Sequence, residues 1–127
     1  MKYLLDTHAL IWSLEANPQL SIKAQEIIEN NHNTIYVSIV SLWEIAIKIS
    51  IGKLKLSQSL DVVIKLLAQH NIEILTVQSE HILTVLNLPF EHRDPFDRLL
   101  IAQALTEKMK FISNEALFLR YGVNRIW

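Results

Sequence analysis

The sequence contains no cysteine and only two glycines among its 127 residues. Without cysteine the chain can form no disulfide, no thiolate nucleophile and no cysteine-based zinc site, and an intracellular protein is the natural expectation. The scarcity of glycine argues against flexible linkers and against a glycine-rich loop that cradles phosphates. These absences indicate a compact globular chain.

Long hydrophobic runs are also missing. The longest apolar stretch, 39–51, is interrupted by Glu44 and Lys48 and is too short to span a bilayer. The N-terminus reaches Asp6 too soon for a secretory signal peptide. We therefore expect a cytoplasmic protein without a membrane partner.

Neither sign of charge is in large excess, because the formal net charge is −1. This balance argues against a broad basic surface for nucleic acid. It leaves room for a nucleic-acid enzyme, since acids gathered at a metal site would offset a local basic rim. The length and the 50% hydrophobic content predict one domain over residues 1–127.

Short apolar segments alternate along the chain with segments of helical periodicity. Strands are predicted at 3–5, 34–38, 72–77, 110–113 and 123–127, and helices at 8–15, 22–31, 39–51, 60–69, 79–88 (capped by Ser79), 95–109 and 114–121. Most strands lack polar alternation, which indicates a three-layer α/β/α sandwich around a parallel sheet of about four to five strands. In such sheets ligands bind at the carboxyl ends of the strands.

Four acids fall where they can face that edge. Asp6 ends the first strand, Glu44 lies about two turns into the helix after the second strand, and Glu115 follows the strand that ends at Ser113. Asp97 lies in the first turn of the helix that begins at 95. Each acid also has an ordinary structural explanation, because carboxylates favour N-caps and first turns of helices.

Glu44 is the least ordinary of these acids. It could form a one-turn ion pair with Lys48, which would contribute only a few tenths of a kcal/mol. Its neighbours along the helix are almost all apolar, however, and a carboxylate in such surroundings is costly unless something compensates it. The pattern therefore favours a functional role for Glu44.

Several carboxylates held together repel one another and take up protons. A hard divalent cation removes that penalty, and Mg²⁺ or Mn²⁺ prefers oxygen ligands. The chain lacks a His-x-x-x-His zinc pair and a Gly-x-Ser-x-Gly nucleophile elbow. Metal-assisted hydrolysis, in which a bound cation activates water, is the chemistry that remains.

Four blocks of sequence resemble the PIN domain family and, within it, the VapC-type ribonuclease toxins of bacterial toxin–antitoxin systems. The blocks are Leu4-Leu5-Asp6-Thr7-His8, Ser41-Leu42-Trp43-Glu44-Ile45-Ala46-Ile47-Lys48, Arg93-Asp94-Pro95-Phe96-Asp97-Arg98-Leu99-Leu100-Ile101-Ala102-Gln103-Ala104 and Tyr121-Gly122-Val123. They occur in the family's order and extend over essentially the whole chain.

The resemblance implies an RNA endonuclease that depends on Mg²⁺ or Mn²⁺. It also implies a cognate antitoxin that occludes the site, and a homodimer. Asp6, Glu44 and Asp97 match the three family acids and are the expected catalytic and metal-binding residues. Glu115 stands at the position of the fourth ligand, where the family usually has an aspartate.

Other residues are expected to position these groups or the RNA. Asp94 and Pro95 predict a helix start, with Asp94 as the cap that places Asp97. Arg93 and Arg98 could hold RNA phosphates, although Arg98 could equally pair with Asp94. Thr7 and Ser113 could orient a metal-bound water or simply bond to backbone.

The histidines and tryptophans are expected outside the chemistry. His8 and His92 are expected as surface or second-layer groups, since a metal can generate the nucleophile without a histidine base. Trp12, Trp43 and Trp127 have apolar sequence neighbours, which predicts core positions rather than platforms for stacking bases.

Two alternative functions are compatible with the sequence. A degenerate PIN domain would keep the fold and bind RNA or a protein without cleaving it, and Glu115 motivates that hypothesis. A phospho-acceptor regulatory domain would also gather acids at strand ends. It would require a lysine at the end of the last long strand, and 111–114 contains none.

Overall fold

The computed structural model describes residues 1–91 and 94–127 and has a parallel sheet enclosed between helices. The elements are β1 (Lys2–Leu5), α1 (Thr7–Leu14), α2 (Ile22–Glu29), β2 (Thr34–Ser38), α3 (Ile39–Ser50), α4 (Leu60–Gln69), β3 (Ile72–Leu75), α5 (Ser79–Leu86), α6 (Pro95–Glu107), β4 (Lys110–Ile112), a 3-10 helix (Ala116–Tyr121) and β5 (Arg125–Ile126). The five strands pair in parallel in the order β3-β2-β1-β4-β5. The predicted three-layer α/β/α sandwich is confirmed.

Alternate residues of the central strands contribute to apolar clusters on opposite faces of the sheet. Leu5 and Ile112 belong to the cluster that includes Leu10 of α1 and Ile45 of α3, and the side chain of Ile45 is fully buried. Leu4 and Phe111 belong to the cluster packed against α6 and the 3-10 helix. Because β1 and β4 are buried on both faces, their sequences show no polar alternation.

Polar caps fix the points where strands turn into helices. Asp6 accepts a hydrogen bond from the amide of Ala9 at 2.7 Å, and Ser38 accepts one from the amide of Val40 at 3.0 Å. Each residue is thus the N-cap of the helix that directly follows its strand. These short junctions bring the starts of α1 and α3 to the carboxyl edge of the sheet.

Several predicted boundaries are wrong. Ser79 is not the cap of α5 but its first residue; Gln78 is the N-cap, and its amide donates to Nδ1 of the buried His81 at 2.9 Å. The helix predicted over 114–121 is a 3-10 helix that begins at Ala116. The strand predicted over 123–127 is shortened to β5, which pairs with β4 at only Phe111 and Ile112.

Strand β3 forms one edge of the sheet. β3 pairs with β2 alone, and its central residues Glu73 and Ile74 are exposed. The segment 76–77, predicted to continue the strand, lies beyond it. Within residues 1–91 and 94–127, no helix has the length and apolar character needed to cross a membrane.

Candidate active site

The carboxyl ends of β1, β2 and β4 lie side by side in the middle of the sheet. Leu5 pairs with Val37 of β2 and with Ile112 of β4, so the next residues, Asp6, Ser38 and Ser113, share one edge. The amide of Asp6 donates to the carbonyl of Ile112 at 3.0 Å. All three side chains at this edge are buried, which marks it as a polar centre inside an apolar fold.

Asp6 is the carboxylate at the centre of this edge. It is 6% exposed and caps α1, and the hydroxyl of Ser113 donates a hydrogen bond to it. Burial raises the pKa of the Asp6 carboxyl, and the nearby charge of Glu44 adds to the rise. Hydrogen bonds from Ser113 and Ala9 and the charge of His8 oppose that shift without reversing it.

Glu44 reaches the same region from the second turn of α3. It is 4% exposed, and its Oε1 accepts a 2.7 Å hydrogen bond from the hydroxyl of Thr7. That hydroxyl also lies 3.0 Å from the buried hydroxyl of Ser41. The second carboxylate oxygen, Oε2, is 2.9 Å from the ammonium of Lys48, so the one-turn ion pair considered from the sequence does form. Glu44 is therefore a compensated buried charge.

The start of α6 agrees with its prediction. Asp94 is the N-cap, its Oδ1 accepts bonds from the amides of Phe96 at 2.8 Å and Asp97 at 3.2 Å, and Pro95 is the first helical residue. Asp97 lies half-buried in the first turn. The predicted positioning role of Asp94 thus has a structural basis, because its side chain fixes the turn that carries Asp97.

The environment of Glu115 differs from that of a buried metal ligand. It is exposed and caps the 3-10 helix, with its Oε1 accepting from the amide of Leu117 at 3.1 Å. Its own amide donates to Oγ of Ser113 at 3.0 Å. Ser113 therefore makes the backbone bond considered from the sequence and also contacts the Asp6 carboxylate, a contact that was not predicted.

The structure brings only part of the predicted ligand set together. Asp6 and Glu44 are buried neighbours whose like charges interact. Over residues 1–91 and 94–127, no group of three or more acids or histidines is arranged to hold a metal ion. The pair suits a hard cation, since two buried carboxylates supply the oxygen donors that Mg²⁺ prefers and a cation would relieve their repulsion.

Of the two predicted RNA-binding arginines, Arg98 lies near the start of α6. Arg98 donates to the carbonyl oxygens of Pro89 at 2.9 Å and Val85 at 3.4 Å, and its guanidinium lies 5.0 Å from the ring centre of Phe90. Arg93, like His92, lies outside the described residues. The observed contacts of Arg98 tie α6 to the end of α5.

The prediction that the tryptophans are core residues is wrong for Trp43, which is 59% exposed. Its ring packs edge-on against Phe96 at 5.1 Å, next to the first turn of α6. Trp12 and Trp127 are half-buried and contact each other edge-on at 5.7 Å. The apolar neighbours misled the prediction, because Leu42 and Ile45 are buried whereas Trp43 and Ile39, one turn before it, are exposed.

Gln103 is a further buried polar residue near this edge of the sheet, and it was not among the predicted site residues. This fully buried amide on α6 accepts a hydrogen bond from the hydroxyl of Ser38 and donates to the carbonyl of Thr76 at 3.3 Å. It joins the end of β2 and the residue after β3 to α6. Its polarity among the apolar residues 99–104 was the available signal.

The family of this chain follows from comparison with known proteins. The family model of the PIN domain matches residues 3–124. The chain belongs to the PIN domain family. No protein of curated function matches its sequence significantly.

Solved structures share the fold of this PIN domain. VapBC2 from Rickettsia felis, bound to a DNA fragment from its promoter, matches with a TM-score of 0.75 and 20% identity, covering 99% of this chain and 98% of the other. VapBC-1 from nontypeable Haemophilus influenzae matches with a TM-score of 0.70 and 18% identity, covering 99% and 97%. FitAcB from Neisseria gonorrhoeae matches with a TM-score of 0.66 and 16% identity, covering 98% and 96%.

Proposed function

We propose that this PIN domain is an endoribonuclease dependent on Mg²⁺ or Mn²⁺ and the toxin of a toxin–antitoxin pair. The observation that carries the proposal is the buried pair Asp6 and Glu44 at the carboxyl edge of the parallel sheet. Buried like charges destabilise the fold, and such pairs are typical of functional sites. Binding of a cation would explain why both carboxylates are present. The PIN family membership and the fold shared with VapBC complexes support the same chemistry.

In this proposal Asp6, Glu44 and Asp97 hold the cation, and Glu115 is a candidate for a fourth ligand. The bound cation supplies an activated water and neutralises charge on the scissile phosphodiester. Ser113 orients the Asp6 carboxylate. Thr7 orients Glu44 through its 2.7 Å hydrogen bond, a role different from the water contact and the backbone bond considered from the sequence. The cap at Asp94 aims Asp97 from the first turn of α6.

The test is RNA cleavage by purified protein with Mg²⁺ or Mn²⁺ and with excess EDTA. Asp6→Asn keeps a side-chain oxygen that can cap α1, so the fold should survive the change. Its cleavage rate should fall by about 100-fold or more, since even residues that only orient metal ligands cost 10- to 100-fold. Asp61→Asn makes the same change at an exposed aspartate of α4 and should leave the rate unchanged. Equal cleavage in EDTA, or by Asp6→Asn, would overturn the proposal.

A catalytically degenerate PIN domain that binds RNA or a protein is the second candidate. It is favoured by Glu115, which is exposed and already bonds the 3-10 helix. Calorimetry separates the candidates: no detectable binding of Mn²⁺ at millimolar concentration would favour the binding module over the nuclease.

The proposed partners are an antitoxin and a second copy of the chain. The similar structures are of VapBC complexes, which supports an antitoxin here. On α5 and just beyond it, Leu83, Leu86 and Phe90 are 61%, 80% and 75% exposed. Apolar side chains this exposed and this close together are typical of a surface that another protein covers. We assign this surface to the homodimer.

A further inference from the structure

Both carboxylate oxygens of Glu44 already have partners within the chain. Oε1 accepts the hydroxyl of Thr7 at 2.7 Å, and Oε2 is 2.9 Å from Nζ of Lys48. The side chain of Glu44 is 6% exposed, whereas that of Lys48 is 36% exposed. Lys48 therefore reaches inward from the protein surface and places its charge on a buried carboxylate.

The position of Lys48 follows from helix geometry. Residues one turn apart lie on the same face of α3, which brings the lysine over Glu44. A buried carboxylate needs a compensating charge. The ammonium of Lys48 supplies such a charge to Glu44. The cation that the proposed nuclease needs would have to approach the same carboxylate.

We propose that Lys48 is a tethered counter-ion that neutralises Glu44 in the metal-free protein and leaves Oε2 when a divalent cation binds. This inference rests on the proposed function, since it assigns Glu44 to the cation. Lys48 is a positioning residue here and takes no part in bond making. The exchange leaves the buried carboxylate with a positive partner throughout, because the divalent cation takes the place of the ammonium.

The chemistry of lysine suits such an exchange. Its ammonium is a compact charge on a flexible four-carbon stem, and it is strongly hydrated in water. The partial exposure of Lys48 gives the ammonium a short path to solvent. Thr7 can stay in place throughout, because it bonds the other oxygen. Glu44 would thus keep its orientation while its charge partner changes.

The test compares the affinity for Mn²⁺, measured by calorimetry, of the wild type and of Lys48→Met. Methionine keeps an unbranched chain of similar length without the charge. In Lys48→Met the metal no longer has to displace an ion pair, so the variant should bind Mn²⁺ more tightly than the wild type. The expected increase in affinity is roughly two- to tenfold, and the twofold limit corresponds to the strength of a surface ion pair one helical turn apart. Lys53→Met removes a charge from the exposed segment after α3 and should match the wild type.

The outcomes separate this inference from the proposed function. If the wild type binds Mn²⁺ and Lys48→Met binds it equally or more weakly, the counter-ion role is overturned while the metal site stands. If neither protein binds Mn²⁺, both proposals fail. Tighter binding by Lys48→Met with unchanged binding by Lys53→Met supports the exchange.

A second measurement needs no substitution at Lys48. Brief treatment of the wild type with acetic anhydride, followed by peptide mass spectrometry, reports the reactivity of each lysine. Acetylation of Lys48 should rise severalfold when saturating Mg²⁺ is added, relative to the exposed Lys53 in the same sample. The same experiment on Asp6→Asn should show a weaker Mg²⁺ effect. A Lys48 reactivity that does not respond to Mg²⁺ in the wild type overturns the inference.

Discussion

Asp6 serves the fold and the proposed chemistry in opposite ways. As the N-cap of α1 it satisfies the amide of Ala9, which stabilises the helix. As a buried carboxylate near Glu44 it disfavours its own ionised form, and burial accordingly raises its pKa. A neutral residue of the same shape would keep the stabilising helix cap and remove the cost of the buried charge.

In the metal-free protein, Asp6→Asn should therefore increase the free energy of unfolding at neutral pH. A carboxyl whose pKa is raised by folding contributes stability below its ordinary pKa of 3.8, and that contribution is lost as the pH rises through the raised value. The gain from Asp6→Asn should be largest at neutral pH and shrink as the pH falls toward 3.8. Thermal unfolding from pH 4 to 8 measures it. A variant less stable than the wild type at neutral pH would contradict this account.

At the level of single residues, the sequence predicted the acids better than their partners. Asp6 and Glu44 could be placed together because strand ends of a parallel sheet share one edge. The buried contact between Thr7 and Ser41 could not be predicted, because it joins two helices that are distant in sequence. The exposure of Trp43 depends in the same way on which helices pack beside α3.

Among the elements, α6 is the one that its own sequence specifies most fully. Asp94 and Pro95 determine its first turn, and the predicted cap is confirmed. Its C-terminal end is set by Lys108, which adopts a left-handed conformation with φ of 55°. The first turn matters most for the proposed function, because it carries Asp97.

Asp94→Ala should lower the free energy of unfolding by about 1 kcal/mol, since two backbone amides lose their acceptor. Urea unfolding followed by circular dichroism measures the loss. Asp94→Asn retains an acceptor oxygen and should stay close to the wild type. Equal losses in the two variants would show that the charge of Asp94, rather than its hydrogen bonds, stabilises the turn.

Helix α5 shows why local signals fail at some boundaries. Ser79 has the chemistry of a cap, yet the buried ring of His81 accepts the amide of Gln78 and moves the cap one residue earlier. The Nε2 atom of the same ring is 2.9 Å from Glu107 of α6. The start of α5 is therefore set by its packing against α6, which its own sequence does not reveal.

At the scale of the whole molecule, the alternation of strands and helices predicted the fold class correctly. The order of the strands in the sheet could not be predicted, because local sequence patterns do not indicate which strands are neighbours. The exposed edge at β3 is a consequence of that order. The apolar residues left exposed on α5 are likewise visible only once α6 has been placed against it.

We expect the protein to be a dimer in solution and Leu86→Lys to be a monomer. Leu86 is 80% exposed, so the lysine disturbs no packing within the chain, but it introduces a charge into the surface assigned to the second copy. Sedimentation equilibrium measures the mass. Leu119→Lys makes the same change at a leucine that is 55% exposed on the 3-10 helix, and it should remain dimeric. A wild type that sediments as a monomer would contradict the assignment.

The central position of β1 has a consequence for the order in which the protein becomes active during synthesis. Asp6 is translated long before β4, yet its amide is bonded to Ile112 and its carboxylate to Ser113. Until β4 has emerged, β1 lacks a neighbour on one side, and contacts between such distant parts of a chain form slowly. A ribosome that stalls before β4 would therefore carry a nascent chain with an incomplete site. The topology therefore delays completion of the proposed site until β4 has been translated.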